Sequence, residues 1–123
     1  MMPPSRVALG SRELELRFTP RAAAQLDIEL EPLDIELELY FSCLIRKRVY
    51  VRREPRADVT ARGRVNEHVT VSFRPVMTKA CAVHDVAGAP DLEPIALVRP
   101  GAFTPKWLHL DFRHGDWVGE FGY

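Results

Sequence analysis

The sequence predicts a mainly β protein of the α+β class, built as an antiparallel bent sheet, a small sandwich or a partly closed barrel with one short helix. Three observations carry this expectation. Apolar residues alternate from Asp34 to Val51, alternation recurs at Arg12–Phe18 and Val65–Met77, and a hairpin signature joins Trp107–Phe112 to Trp117–Phe121. Alternating strand–helix–strand units are missing, which removes the parallel-sheet folds that usually carry nucleotide sites.

Taken in order, residues 1–10 carry two prolines and little periodicity and read as a flexible lead-in, with a single globular domain over 11–123. Arg12–Phe18 places Leu14, Leu16 and Phe18 on one face and Glu13, Glu15 and Arg17 on the other, as in a half-buried strand. Thr19-Pro20 then supplies a helix N-cap and a proline at the first helical position, ahead of the helix formers RAAAQL. The TPRAAAQL run resembles the start of a helix in A-type iron–sulfur carrier proteins over about eight residues. Those proteins bind through a mid-chain cysteine and a C-terminal cysteine pair. The C-terminus here, HGDWVGEFGY, holds no cysteine, so the resemblance gives no assignment.

Asp27–Leu33, DIELEPL, nearly repeats the DIELELY that follows it, and Pro32 separates the two copies. The second copy opens the longest β pattern in the chain. Ile35, Leu37, Leu39, Phe41, Cys43, Ile45, Val49 and Val51 form the face expected to be buried, while Asp34, Glu36, Glu38, Tyr40, Arg46, Arg48, Tyr50 and Arg52 fall on the other. Fully extended, this run would reach roughly 60 Å, against about 35 Å across a compact domain of this size, so it must coil, bulge or leave the domain as an arm. The polar face is acidic at one end and basic at the other. Two copies paired antiparallel about Ser42 would set Glu36 against Arg48 and Glu38 against Arg46. Glu36, Glu38, Tyr40, Leu44, Arg46 and Arg48 are therefore the candidates for a homodimer interface. Exposed ion pairs contribute only ~0–1 kcal/mol, so neighbouring strands of the same chain are the competing partners for these charges.

Arg52–Gly63 reads as a connection with a short extended piece at Asp58–Ala61, and Val65–Met77 as a strand antiparallel to the long one. Thr78–Pro94 reads as a surface loop, followed by a short strand at Ile95–Val98. In the C-terminal hairpin, Arg113-His114-Gly115-Asp116 forms a two-residue loop that sets His109 opposite Glu120.

Charge and motifs exclude more than they specify. Lys plus Arg and Asp plus Glu number 17 each, so net charge argues for neither nucleic acid nor an anionic membrane. No Gly-rich phosphate loop, GxSxG, HExxH or CxxC occurs. Two cysteines make no disulfide framework, and no apolar run is long enough to span a bilayer; a cytoplasmic location is the expectation. The function expected is a small binding or interaction module, self-associating through the long strand or the hairpin's outer face. A second reading is a Zn²⁺-binding protein or metal-dependent hydrolase using Cys81, His84, His109 and Asp111, which are ligand types on the 81–85 loop and the hairpin. A third is an anion- or RNA-binding surface on the arginine-rich 46–64 segment, centred on Arg48, Arg52 and Arg53.

Overall fold

A computed structural model describes residues 5–41, 44–78, 92–94 and 103–123. In chain order its elements are β1 (Arg6–Leu9), β2 (Arg12–Phe18), α1 (Pro20–Asp27), β3 (Leu33–Phe41), β4 (Ile45–Arg52), β5 (Ala61–Arg64), β6 (Val69–Thr78), β7 (Leu92–Pro94), β8 (Trp107–Arg113) and β9 (Asp116–Gly122). They build two sheets. One runs β1-β2-β8-β9; the other runs β4-β3-β6-β5, with β7 also pairing β6. The expected α+β class, mainly strands with one short helix, is what the structure shows. Among the described residues the strands do not close into a barrel, and no helix is long and apolar enough to cross a membrane.

The apolar face of each sheet turns inward. Leu14 and Leu16 of β2 and Leu108 and Leu110 of β8 meet Ile35, Leu37 and Leu39 of β3 and Val71 and Phe73 of β6, all buried in one cluster that Phe121 joins. Helix α1 adds Ala22 and Leu26 to this core. It starts where the sequence predicts: the Thr19 hydroxyl accepts the Ala22 N–H at 3.2 Å, with Pro20 at the head of the helix. Thr19 also donates to Asp111 at 2.7 Å, which ties the cap to β8. Thr19→Ala is expected to destabilise the protein by about 1–2 kcal/mol, read as a lowered urea midpoint, whereas Thr19→Ser should recover most of the loss.

The two sheets meet along two seams of different character. Where β1 passes β5, the backbones touch. A Cβ at Gly63 would lie 2.1 Å from the Ala8 carbonyl oxygen and 2.9 Å from Val7 Cγ2, so only glycine permits that approach. Where β4 passes β9, Val49 packs against Gly119 and a cleft of about 320 Å³ remains between the strands.

Several sequence expectations are corrected. Arg6–Leu9, read as lead-in, is strand β1, with Val7 and Leu9 buried; the chain reverses into β2 through Gly10 at φ 64°. The long β run is two strands, because the chain folds back between Phe41 and Ile45 and β4 returns antiparallel along β3. That reversal resolves the length conflict without an arm. Strand β6 pairs β3 in parallel, not antiparallel, since β5 intervenes in the chain and takes the antiparallel place on β6's far edge. Part of the expected 78–94 loop is strand β7, while Ile95–Val98 and Cys43 lie outside the described residues. The hairpin has the expected register, with His109 opposite Glu120 and Arg113 opposite Asp116. Its loop residues His114 and Gly115 both have positive φ, 52° and 81°, as a type I′ turn requires.

Candidate interaction edge

Backbone parity decides which groups of the second sheet are spent and which are open. The Leu33 N–H donates to the His68 carbonyl at 2.8 Å, so odd-numbered residues of β3 bond toward β6. The Thr60 N–H donation to the Phe73 carbonyl fits the same scheme, because it turns Phe73 away from β3. Even-numbered residues of β3 therefore bond β4, and their opposite numbers Arg48, Tyr50 and Arg52 point back at β3. It follows that Lys47, Val49 and Val51 direct their N–H and C=O groups to the outer edge of β4. Among the described residues no strand pairs that edge. It opens into the cleft lined by Val49, Tyr50, Val51, Asp116, Trp117 and Gly119.

The six homodimer candidates all fall on the β3–β4 hairpin but do not share one surface. Glu36, Glu38 and Tyr40 are buried on β3, whereas Leu44, Arg46 and Arg48 are exposed at the turn and on β4. Pairing of two copies about Ser42 needs a free edge on β3, and both of its edges are occupied. Much of the charge complementarity is met inside one chain: Glu36 pairs with Arg52 and Glu38 with Arg74.

The outer face of this sheet buries a row of carboxylates under arginine and tyrosine. Asp34 accepts from Thr70 Oγ1 at 2.7 Å and Ser72 Oγ at 2.6 Å, with Arg62 at 3.8 Å. Glu36 takes both Nε and Nη2 of Arg52 at 3.3 Å, and Arg52 in turn lies over the Tyr50 ring. Arg74, only 5% exposed, bridges Glu38 at 3.5 Å and Asp58 at 3.1 Å. The Arg56 guanidinium, then Arg74, holds the Asp58 carboxyl down to about 2. Asp58 thus adds stability above the ordinary aspartate range that is lost as pH falls toward 2.

Glu38 behaves oppositely. Burial first, then the neighbouring Glu36, pushes its carboxyl up despite Arg74, and its Oε1 has no hydrogen-bond partner among the described residues. Arg48, directly across the ladder, stacks on Tyr40 and donates to the Tyr50 hydroxyl instead. A raised carboxyl stabilises the fold where it is protonated, and that contribution disappears as pH rises through its folded pKa. Glu38→Gln is therefore expected to raise stability at pH 8, where burial and the Glu36 charge penalise the carboxylate, and to leave it unchanged near pH 4. Urea melts at the two pH values check this; a loss at pH 8 would show that the charge of Glu38 is needed.

The arginines proposed as an anion surface are largely engaged with these carboxylates. Arg52 holds Glu36, Arg53 grips Glu29 through two hydrogen bonds at 2.7 and 3.2 Å, and Arg48 sits on the two tyrosines. Comparison with protein-family models, curated proteins and solved structures finds no match.

The metal candidates divide. His109 and Asp111 do share one side of β8, but Asp111 is buried and its carboxylate is taken by the Arg21 fork at 2.6 and 2.7 Å, the Thr19 hydroxyl, Arg113 and the Phe112 N–H. These donors, the Arg21 guanidinium first, hold its carboxyl far below the usual range. Cys81 and His84 lie outside the described residues. Among the described residues no cluster of three or more His, Cys, Asp or Glu could hold a metal. Trp107 is half-buried beneath Arg17 on one side, and a Cβ at Gly122 would strike its ring at 2.4 Å.

Proposed function

We propose that this protein is a self-associating interaction module that takes an extended segment by strand addition along the outer edge of β4. The observation that supports it is the row of Lys47, Val49 and Val51 backbone groups, unpaired among the described residues, beside a cleft. An eight-residue edge strand is long enough to template such pairing. Its side chains select the partner. Val49 and Val51 present apolar surface on one face, while Arg46, Arg48 and Arg52 crowd the other. Two β4 strands laid against each other would bring arginines together, so direct β4–β4 pairing is disfavoured. A segment alternating carboxylates with aliphatic residues fits both faces.

Lys47→Pro removes one outward N–H without touching the β3 ladder and places proline where edge strands accept it. Sedimentation equilibrium of untagged protein is expected to show an even-numbered oligomer, and K47P to weaken association at least tenfold with its melting temperature little changed. Wild-type protein that stays monomeric at every concentration, or a K47P variant that associates as the wild type does, would end this reading.

A further inference from the structure

The segment between α1 and β3 holds two large apolar side chains in solvent, Ile28 at 67% and Leu30 at 82% exposure. They belong to DIELEP, the near-duplicate of the sequence that forms β3. Along the inner edge of β4, Asp34, Glu36 and Glu38 oppose Arg52, Tyr50 and Arg48, while Ile35 and Leu37 oppose Val51 and Val49. Seven positions earlier, Asp27, Glu29 and Glu31 carry carboxylates at the same spacing, and Ile28 and Leu30 stand where Ile35 and Leu37 do.

We propose that the strand added to the outer edge of β4 is Asp27–Glu31 of a second copy of this chain, antiparallel, with Ile28 opposite Val51, Leu30 opposite Val49 and Glu31 opposite Arg48. The inference rests on the strand-addition reading above and names its occupant. In this register Leu30 exchanges N–H and C=O with the outward groups of Val49. Ile28, the αR C-cap of α1 whose N–H donates to the Leu26 carbonyl, joins the ladder opposite Val51 once that last turn opens. Both side chains then share the face of the two valines, toward Trp117 and Gly119. Pro32 falls opposite Lys47: its carbonyl accepts the outward Lys47 N–H, and its own missing N–H ends the ladder there.

The segment cannot reach the outer edge of its own β4. Leu33 begins β3 on the inner edge, and two residues of chain from Leu33 back to Glu31 span at most ~7 Å, less than the ~10 Å across two strand spacings. A second copy is therefore required, and two-fold symmetry lets each chain give and receive one segment. Within one chain Glu29 is held by Arg53, the residue that follows β4. In the pair, Glu29 meets the same basic end of the other β4, so that ion pair is exchanged between copies.

The test is complementation between two variants, read by sedimentation equilibrium and native mass spectrometry. Leu30→Glu spoils the donor and, at so exposed a position, leaves the fold intact; Lys47→Pro spoils the acceptor. Each alone is expected to associate at least tenfold more weakly than wild type. Their equimolar mixture should form a heterodimer, because the intact segment of K47P enters the intact edge of L30E. An acetylated, amidated peptide of residues 27–33 should bind L30E and not K47P. If L30E associates like wild type while K47P does not, or the mixture forms no heterodimer, another segment occupies the edge: the inference is overturned and the strand-addition reading stands. If K47P associates like wild type, both fall.

Discussion

Replacing Gly63 with valine is expected to cost about 3 kcal/mol or more, the upper range for overpacking a tight contact, and to open the seam between β1 and β5. A Cβ there would sit 2.1 Å from a carbonyl oxygen, and the Ala8 backbone cannot move aside as the tip of a side chain can. The strands on either side must separate, exposing the buried Val7 and Leu9. Denaturant melts report the energy, and amide exchange locates it: protection should fall in β1 and β5 before the β8–β9 hairpin. Gly63→Ala should lose nearly as much as valine. A wild-type midpoint for the alanine variant would mean that the two strands do not meet as described.

The second large effect is expected at Arg74. It is the buried cation between Glu38 and Asp58, and removing one member of a buried ion pair costs about 3–5 kcal/mol because the charge left behind is uncompensated. Arg74→Met should therefore destabilise strongly at pH 8 and much less near pH 4, where Glu38 is protonated. Glu38→Gln in the same chain should restore a large part of the loss, since the carboxylate that needed the cation has gone. A double-mutant cycle at both pH values measures this coupling. Additive losses at pH 8 would show that Arg74 serves the fold through packing alone.

The parts of the fold legible in the sequence are those governed by neighbours in the chain. Thr19-Pro20 marks the start of α1, and His114-Gly115 sets the hairpin register, because each acts within a few residues. Alternation likewise finds the inward residues of β3. It does not carry strand direction, so the parallel pairing of β3 with β6 had no local sign. The reversal after Phe41 was hidden for a different reason: Ser42, Cys43 and Leu44 include no glycine, proline or asparagine to mark a turn.

The candidate site was legible in composition and not in arrangement. The complementary acids and bases of Asp34–Arg52 were visible, but their partners lie on both sides of the chain reversal and as far away as Ser72 and Arg74. Charged residues on one face of a strand normally signal solvent. Here Glu36 is buried, and the arginine covering it becomes a neighbour only once β4 has folded back. Asp111 follows the same logic: it lies 90 residues from Arg21, its strongest partner, so it resembled a free ligand.

The central strand pairs of both sheets run parallel, and in one sheet this has a consequence for how the protein can be made. Strand β2 is made well before its partner β8: Thr19 and Asp111, which lock the two together, are 92 residues apart. Until β8 emerges, Leu14 and Leu16 have no sheet to enter beyond the β1–β2 hairpin. Local hairpins can form as they emerge, whereas the sheet that encloses the core closes only once β8 and β9 have emerged. Nascent chains stalled before Trp107 should therefore be protease-sensitive over Arg6–Phe18, and chains in which Tyr123 has cleared the ribosome should not.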